Sequence, residues 1–191
     1  LLTDREKVVL EKLYRASKII DELFLEQVYI ENYQIKSDLI SKTANKSILE
    51  REPELKPQLE LFNIMFGPFD RLEDNKPFIG KNTKPLAANF YPVDMSKEEF
   101  EKWIKDNPAD EKTFTSEFTI IRRDNGKLVA IPYSEYFKDK LTAASNLLKE
   151  AAEYSDNPSL KKYLLSRANA FLSNDYYQSD MDWMDLKDHN I

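Results

Sequence analysis

Six of the nine prolines, Pro53, Pro57, Pro68, Pro77, Pro85 and Pro92, are gathered between positions 53 and 92. Each removes a backbone donor and restricts the residue before it, so this stretch cannot carry long helices or central strands. With Gly67 and Gly80 also inside it, segment 53–95 is predicted to be an irregular, Pro- and aromatic-rich ordered loop. The only helix that fits there is a short one near Leu59 to Phe66. Regular structure must come from the flanks.

Upstream, Thr3 and Glu6 have capping-box spacing, and Val9, Leu13, Ala16, Ile20 and Leu23 then recur at alternating steps of four and three. That is one face of an amphipathic helix. A core-facing stripe is the plainer reading, and a helical interaction groove is the sharper one. Val28, Ile30, Ile35, Leu39 and Ile40 continue the pattern into a second helix from about Tyr29 to Thr43. Ser96 with Glu99 repeats the capping box and opens a helix carrying Phe100, Trp103 and Ile104, which Asn107-Pro108 ends.

Downstream, Glu117 to Arg123, Asp124-Asn125-Gly126 and Lys127 to Ile131 predict a hairpin over 117–131, since Asn-Gly suits the positive backbone angles of a tight turn. Tyr136 to Tyr154 reads as a helix. Asn157-Pro158 caps another through Leu160, Leu164, Ala168 and Phe171, antiparallel to the first. The fold class expected is mainly α with a small β element (α+β), a helical domain with at least one β-hairpin. Residues 1–191 read as a single domain or as a partial lobe of a larger protein, with no internal repeat.

At 191 residues and 41% hydrophobic, the chain can bury a core without staples. Its 34 acids and 28 bases are interspersed, giving a net charge of −6, which argues against nucleic acid and anionic membrane as partners. No apolar run approaches the roughly 20 residues of a membrane span. With no Cys there is no disulfide, thiolate nucleophile or cysteine zinc site. Lack of Cys fits the cytoplasm without requiring it, and an exported or lipid-anchored parent stays open. The start lacks a Met and the stop at His189-Asn190-Ile191 lacks a terminating feature, so both ends read as cuts.

A solitary histidine, His189, removes many mechanisms: zinc sites, zincin helices and histidine-based triads all need imidazoles placed within the fold. Three scattered glycines are too few for a phosphate-cradling loop. Asp180, Asp182 and Asp185 could attract calcium but lack the glycine and terminal glutamate of an EF-hand loop, and acids at a helix start are the plainer account. Asn45-Lys46-Ser47 matches a glycosylation acceptor, a pattern too short to argue from. This leaves aromatic residues beside polar groups, the pairing that a peptide or sugar cleft uses. The cleft candidates are Asn89, Tyr91, Tyr176, Tyr177, Asp180 and Trp183. Phe66, Phe69 and Phe90 read instead as pins that fix the irregular loop, with Asp70 and Arg71 as a local ion pair. No catalytic or metal-ligating residue is identified in the chain.

Phe66-Gly67-Pro68-Phe69-Asp70-Arg71, Ala88-Asn89-Phe90-Tyr91-Pro92-Val93-Asp94, and Ser166-Arg167-Ala168-Asn169-Ala170-Phe171-Leu172 leading into Asp175-Tyr176-Tyr177-Gln178-Ser179-Asp180 occur in that order. In these motifs the sequence resembles the N-terminal region of bacterial zinc-dependent peptidases of the dipeptidyl peptidase III-like family, which has a plant branch fused to a Nudix domain. The resemblance implies a two-lobed metallopeptidase with a His-Glu-x-x-x-His helix and a further glutamate binding zinc, where zinc polarises the scissile carbonyl and a glutamate acts as general base. None of those ligands is in this sequence, and neither is a Nudix signature. By resemblance, then, this is a non-catalytic segment that builds part of the lobe opposite the zinc site and is inactive alone. Its partners would be the remainder of the same polypeptide and, in the parent, a peptide substrate. The competing reading is a free-standing helical peptide- or glycan-binding module.

Overall fold

A computed structural model describes residues 2–188, 190 and 191. The element order is α1 (Asp4–Val28), α2 (Asn32–Ala44), α3 (Lys46–Arg51), α4 (Leu55–Met65), β1 (Phe69–Asp70) and β2 (Lys76–Pro77). Then come α5 (Lys97–Asp106), a 3-10 turn at Pro108–Asp110, α6 (Glu111–Phe114), β3 (Thr119–Asp124) and β4 (Lys127–Pro132). The chain finishes with α7 (Tyr133–Tyr136), α8 (Lys138–Tyr154), α9 (Pro158–Ser173) and α10 (Tyr177–Met184). The fold is mainly α with a small β element, as two short antiparallel strand pairs accompany the helices.

The start of α1 forms for the reason its sequence gives. Thr3 N–H donates to Glu6 Oε2 at 2.6 Å, and Glu6 N–H donates back to Thr3 Oγ1 at 3.2 Å. At α5 the same box forms by half. Ser96 Oγ accepts from Glu99 N–H at 3.2 Å, but the Glu99 carboxylate takes Arg123 Nη1 and Nη2 at 2.7 and 2.9 Å instead. A two-pronged charged pair is stronger than one neutral amide, so it wins the carboxylate.

Other boundaries shift for local reasons. The α4 helix starts at Leu55, earlier than its pattern suggests, because Pro57 lies in the first turn, where a missing N–H costs nothing. The α3 helix was not anticipated; Asn45 caps it by accepting from Ile48 N–H at 3.2 Å. Two residues on each side also pair within the proline-rich stretch, Phe69 against Pro77 and Asp70 against Lys76.

The chain divides into two compact units, each discontinuous in sequence: Leu1–Leu23, Glu111–Ile120 and Val129–Ile191 in the first, Phe24–Asp110 and Ile121–Leu128 in the second. In the first unit the α1 stripe enters the core beside α8 and α9, with Val9, Ala16, Leu148, Ala151, Leu164 and Ala168 buried. The alanines let the helix backbones approach closely, and the buried Ser145 Oγ donates to Ala168 O at 2.8 Å, so no hydroxyl is stranded there. Asn157 caps α9 by accepting from Leu160 N–H at 2.9 Å, with Pro158 next. Leu23, Ile120, Phe137 and Leu141 form a second cluster in this unit.

In the second unit Leu25, Leu39, Leu55 and Phe62 make one cluster, and Val28, Tyr29 and Phe69 another. Phe62 is completely buried, which contributes about 1.5–3 kcal/mol through the apolar surface it removes from water. Phe69 packs edge-on against Tyr29 at 5.2 Å, and Phe66 against Phe24 at 5.1 Å, so both pin the irregular loop. Asp70 caps its own turn by accepting from Leu72 N–H at 2.8 Å, while the Arg71 guanidinium lies 5.4 Å from the Phe24 ring.

Candidate functional site

The first candidate site lies within the second unit, a cleft of about 510 Å3 whose lining includes Tyr29, Glu31, Asn82, Asn89, Tyr91 and Arg122. Asn89 is its structural keystone. Its N–H donates to Gln27 O at 2.9 Å and its Nδ2 to Glu26 O at 2.9 Å. Its carbonyl oxygen and Oδ1 both accept from Arg122 Nη2, at 2.9 and 3.1 Å. Arg122 Nη1 in turn donates to Ile121 O at 2.8 Å, and Ile121 N–H to Phe90 O at 2.9 Å. Asn89 is therefore occupied in holding the last turn of α1 against β3, and it shapes the cleft as a positioning residue.

Tyr91 is half-buried, its ring edge-on to Phe100 at 5.6 Å. Across the cleft lining, Tyr29 OH donates to Glu31 Oε2 at 2.8 Å, and Asn82 Nδ2 donates to Tyr29 OH at 3.2 Å. Burial pushes the Tyr29 hydroxyl pKa up, so it stays protonated and remains a donor. Of the cleft residues, sequence reasoning found Asn89 and Tyr91 and missed Tyr29, Glu31, Asn82 and Arg122. Their signal is tertiary: each joins the cleft through residues distant in sequence.

The second candidate patch lies within the first unit, on α10 and its approach. Tyr176 is half-buried and stacks on Phe118 at 4.9 Å with 23° between ring planes. The Arg167 guanidinium lies 5.3 Å from the Tyr176 ring and 5.6 Å from Tyr163, and its Nη2 donates to Asp180 Oδ1 at 2.5 Å. Burial raises the Tyr176 hydroxyl pKa as well. Tyr176 and Asp180 are thus engaged in seating α10 on α9. Tyr177 and Trp183, 75% and 60% exposed, present their rings to solvent.

The three carboxylates of α10 separate rather than converge. Asp180 meets Arg167, whereas buried Asp182 accepts from Lys162 Nζ at 2.8 Å and from Gln178 Nε2 at 2.8 Å. The hydrogen bond from Lys162 holds the Asp182 carboxyl below the usual carboxylate range. Asp185 sits at the C-cap, where the helix dipole does not favour an acid, so the helix-start reading holds for Asp180 alone. Among the described residues no group of three His, Cys, Asp or Glu could hold a metal ion, and His189 lies outside them. No described helix is long and apolar enough to cross a membrane.

No family model matches the chain. Two solved structures match it over 98% of its length: that of DPP III from Caldithrix abyssi, at 60% identity and a TM-score of 0.91, and that of dipeptidyl-peptidase III from Corallococcus sp. strain EGB, at 39% identity and a TM-score of 0.87. This chain is dipeptidyl peptidase III-like. It covers 34% of each of those structures. It is also similar to Nudix hydrolase 3 of Arabidopsis thaliana, 32% identical over 235 residues, matching 97% of this chain and 30% of that protein. The chain therefore spans about a third of the length of the relatives it matches.

Proposed function

We propose that the chain is the N-terminal region of a zinc-dependent dipeptidyl peptidase III-like metallopeptidase, where it builds part of the lobe opposite the zinc site and has no activity alone. The observation that carries this reading is the 60% identity and 0.91 TM-score to a dipeptidyl peptidase III structure along nearly the whole chain. On this reading the metal and its ligands belong to the remainder of the parent polypeptide; among the described residues no group of three His, Cys, Asp or Glu could hold a metal ion. No catalytic step is assigned to this chain.

What its own residues supply is shape. Tyr91 gives the second-unit cleft an aromatic wall, held in register by Asn89 and Arg122. Tyr177 and Trp183 offer exposed rings on a helix that Lys162–Asp182 fastens on its buried side, while Arg167 ties it down at Asp180, on the same face as the rings. Rings of this kind combine apolar area with hydrogen-bonding tips, which suits an extended peptide. The match covers 30% of the plant relative, and the chemistry in that protein's name is not assigned to this chain.

The test is expression of the parent reading frame beside this chain. The parent should bind zinc and release dipeptides from peptide N-termini, losing activity to a chelator and regaining it with zinc. A parent lacking any His-Glu-x-x-x-His segment, or stoichiometric zinc and peptide cleavage by the 191-residue chain alone, would overturn the reading.

A further inference from the structure

We propose that Asn125 is a site of spontaneous covalent modification, at which its side-chain amide is lost and the β3–β4 turn becomes a mixture of aspartate and isoaspartate. Asn125 is the only asparagine in the chain followed by glycine. Both residues of the turn are exposed, with φ of +47° at Asn125 and +79° at Gly126. A Cβ placed on Gly126 would have nothing within 4 Å apart from its chain neighbours, so the tip is open on that side. The Asn125 amide donates only locally, to Asp124 Oδ1 at 2.9 Å. Other asparagines are held differently: Asn32 is fully buried, Asn157 and Asn45 cap helices, and Asn89 has every polar atom bonded.

The reaction needs only water. The Gly126 backbone nitrogen attacks Asn125 Cγ; an N–Cγ bond forms, the Cγ–Nδ2 bond breaks, and ammonia departs with the proton from the attacking nitrogen. Water then opens the cyclic imide. Addition at the side-chain carbonyl regenerates a normal backbone with aspartate, and addition at the main-chain carbonyl gives isoaspartate, with one extra methylene in the backbone. An exposed two-residue hairpin tip opens locally at far less free-energy cost than the core, so folding gives the amide little protection.

The consequence reaches the cleft of the second unit. An added backbone atom no longer fits a two-residue turn with positive φ at both positions. The strand that this turn registers carries Arg122, which holds both oxygens of Asn89, and Arg123, which bridges Asp94 and Glu99. Isoaspartate at the tip therefore loosens the cleft wall.

The chain is incubated in warm, mildly alkaline buffer, folded and in urea, and followed by peptide mapping and enzymatic methylation of isoaspartate, beside an Asn125→Gly variant. Gly-Gly keeps the turn without the amide. Asn125 should convert ahead of every other asparagine, with isoaspartate exceeding aspartate. Aged protein should show faster hydrogen exchange at the Asn89 and Ile121 amides, while aged Asn125→Gly should not. Conversion of another asparagine first, or a rate more than about tenfold slower in the folded than in the unfolded chain, overturns the proposed site. Unchanged exchange at Asn89 and Ile121 overturns its link to the cleft. Neither result bears on peptidase activity in the parent.

Discussion

Replacing Gly67 by alanine tests how the second unit is held at the end of α4. Gly67 has a φ of +151°, which an L side chain rarely adopts, and a Cβ there would lie 3.1 Å from Asn32 Oδ1 and 3.2 Å from Asn32 Nδ2. Asn32 cannot yield freely: it is fully buried, and its Nδ2 donates to Leu25 O at 2.8 Å and to Phe66 O at 3.0 Å. Strained backbone costs about 1–3 kcal/mol. If Asn32 moves, the buried Leu25 carbonyl and the part-buried Phe66 carbonyl lose their donor, which adds about 1–3 kcal/mol. Gly67→Ala should thus destabilise by about 2–6 kcal/mol, lowering Tm by roughly 4–24 °C for a chain of this size. Urea unfolding in a Trp183→Phe background leaves Trp103, in the second unit, as the fluorescent reporter. Because the clash is with Asn32, the double variant with Asn32→Ala should cost less than the sum of the two, by about 1 kcal/mol or more. A loss below about 0.5 kcal/mol, or strict additivity, would refute the reasoning.

Truncation of Phe62, which leaves a cavity in the second unit, should cost about 3–5 kcal/mol in the same unfolding assay. Asp182 has its pKa lowered in the folded state, so its contribution is fully present above the ordinary carboxylate pKa and lost as pH falls through the folded one. The wild-type Tm should therefore drop below about pH 4, and Asp182→Asn should flatten that drop. Tyr177→Ala and Trp183→Ala, both at exposed positions, should leave Tm within about the shift of 0.5 kcal/mol while raising KM for peptides in the parent; an unchanged KM would remove them from the cleft. Arg167→Lys should loosen α10, visible as faster exchange at the Asp180 amide, because a lysine cannot stack between Tyr163 and Tyr176 while bonding Asp180.

Long elements were legible because their signals are local. The α1 stripe, the Asn157-Pro158 cap and the Asn-Gly turn each encode their structure within a few residues, and each forms. The half-formed box at α5 shows the limit of such reasoning: whether Glu99 turns back to Ser96 depends on Arg123, which only the folded hairpin brings near. The cleft obeys the same rule. Asn89 and Tyr91 stand out in a proline-rich loop, whereas Glu31 and Arg122 look like ordinary charges until the fold places them on the cleft lining. Tyr176 and Asp180 were legible as unusual residues, but their engagement with Phe118 and Arg167 was not.

The discontinuous division of the chain bears on its birth at the ribosome. Every segment of the second unit has been synthesised once Leu128 emerges, but the first unit must wait for α8 and α9, and Arg5 meets its partner Asp156 across 151 positions. At translation speeds of about 5–20 residues per second, that interval is roughly 10–30 s. Through it the apolar face of the N-terminal helix stays unsheltered, an address for holdase chaperones in the nascent protein.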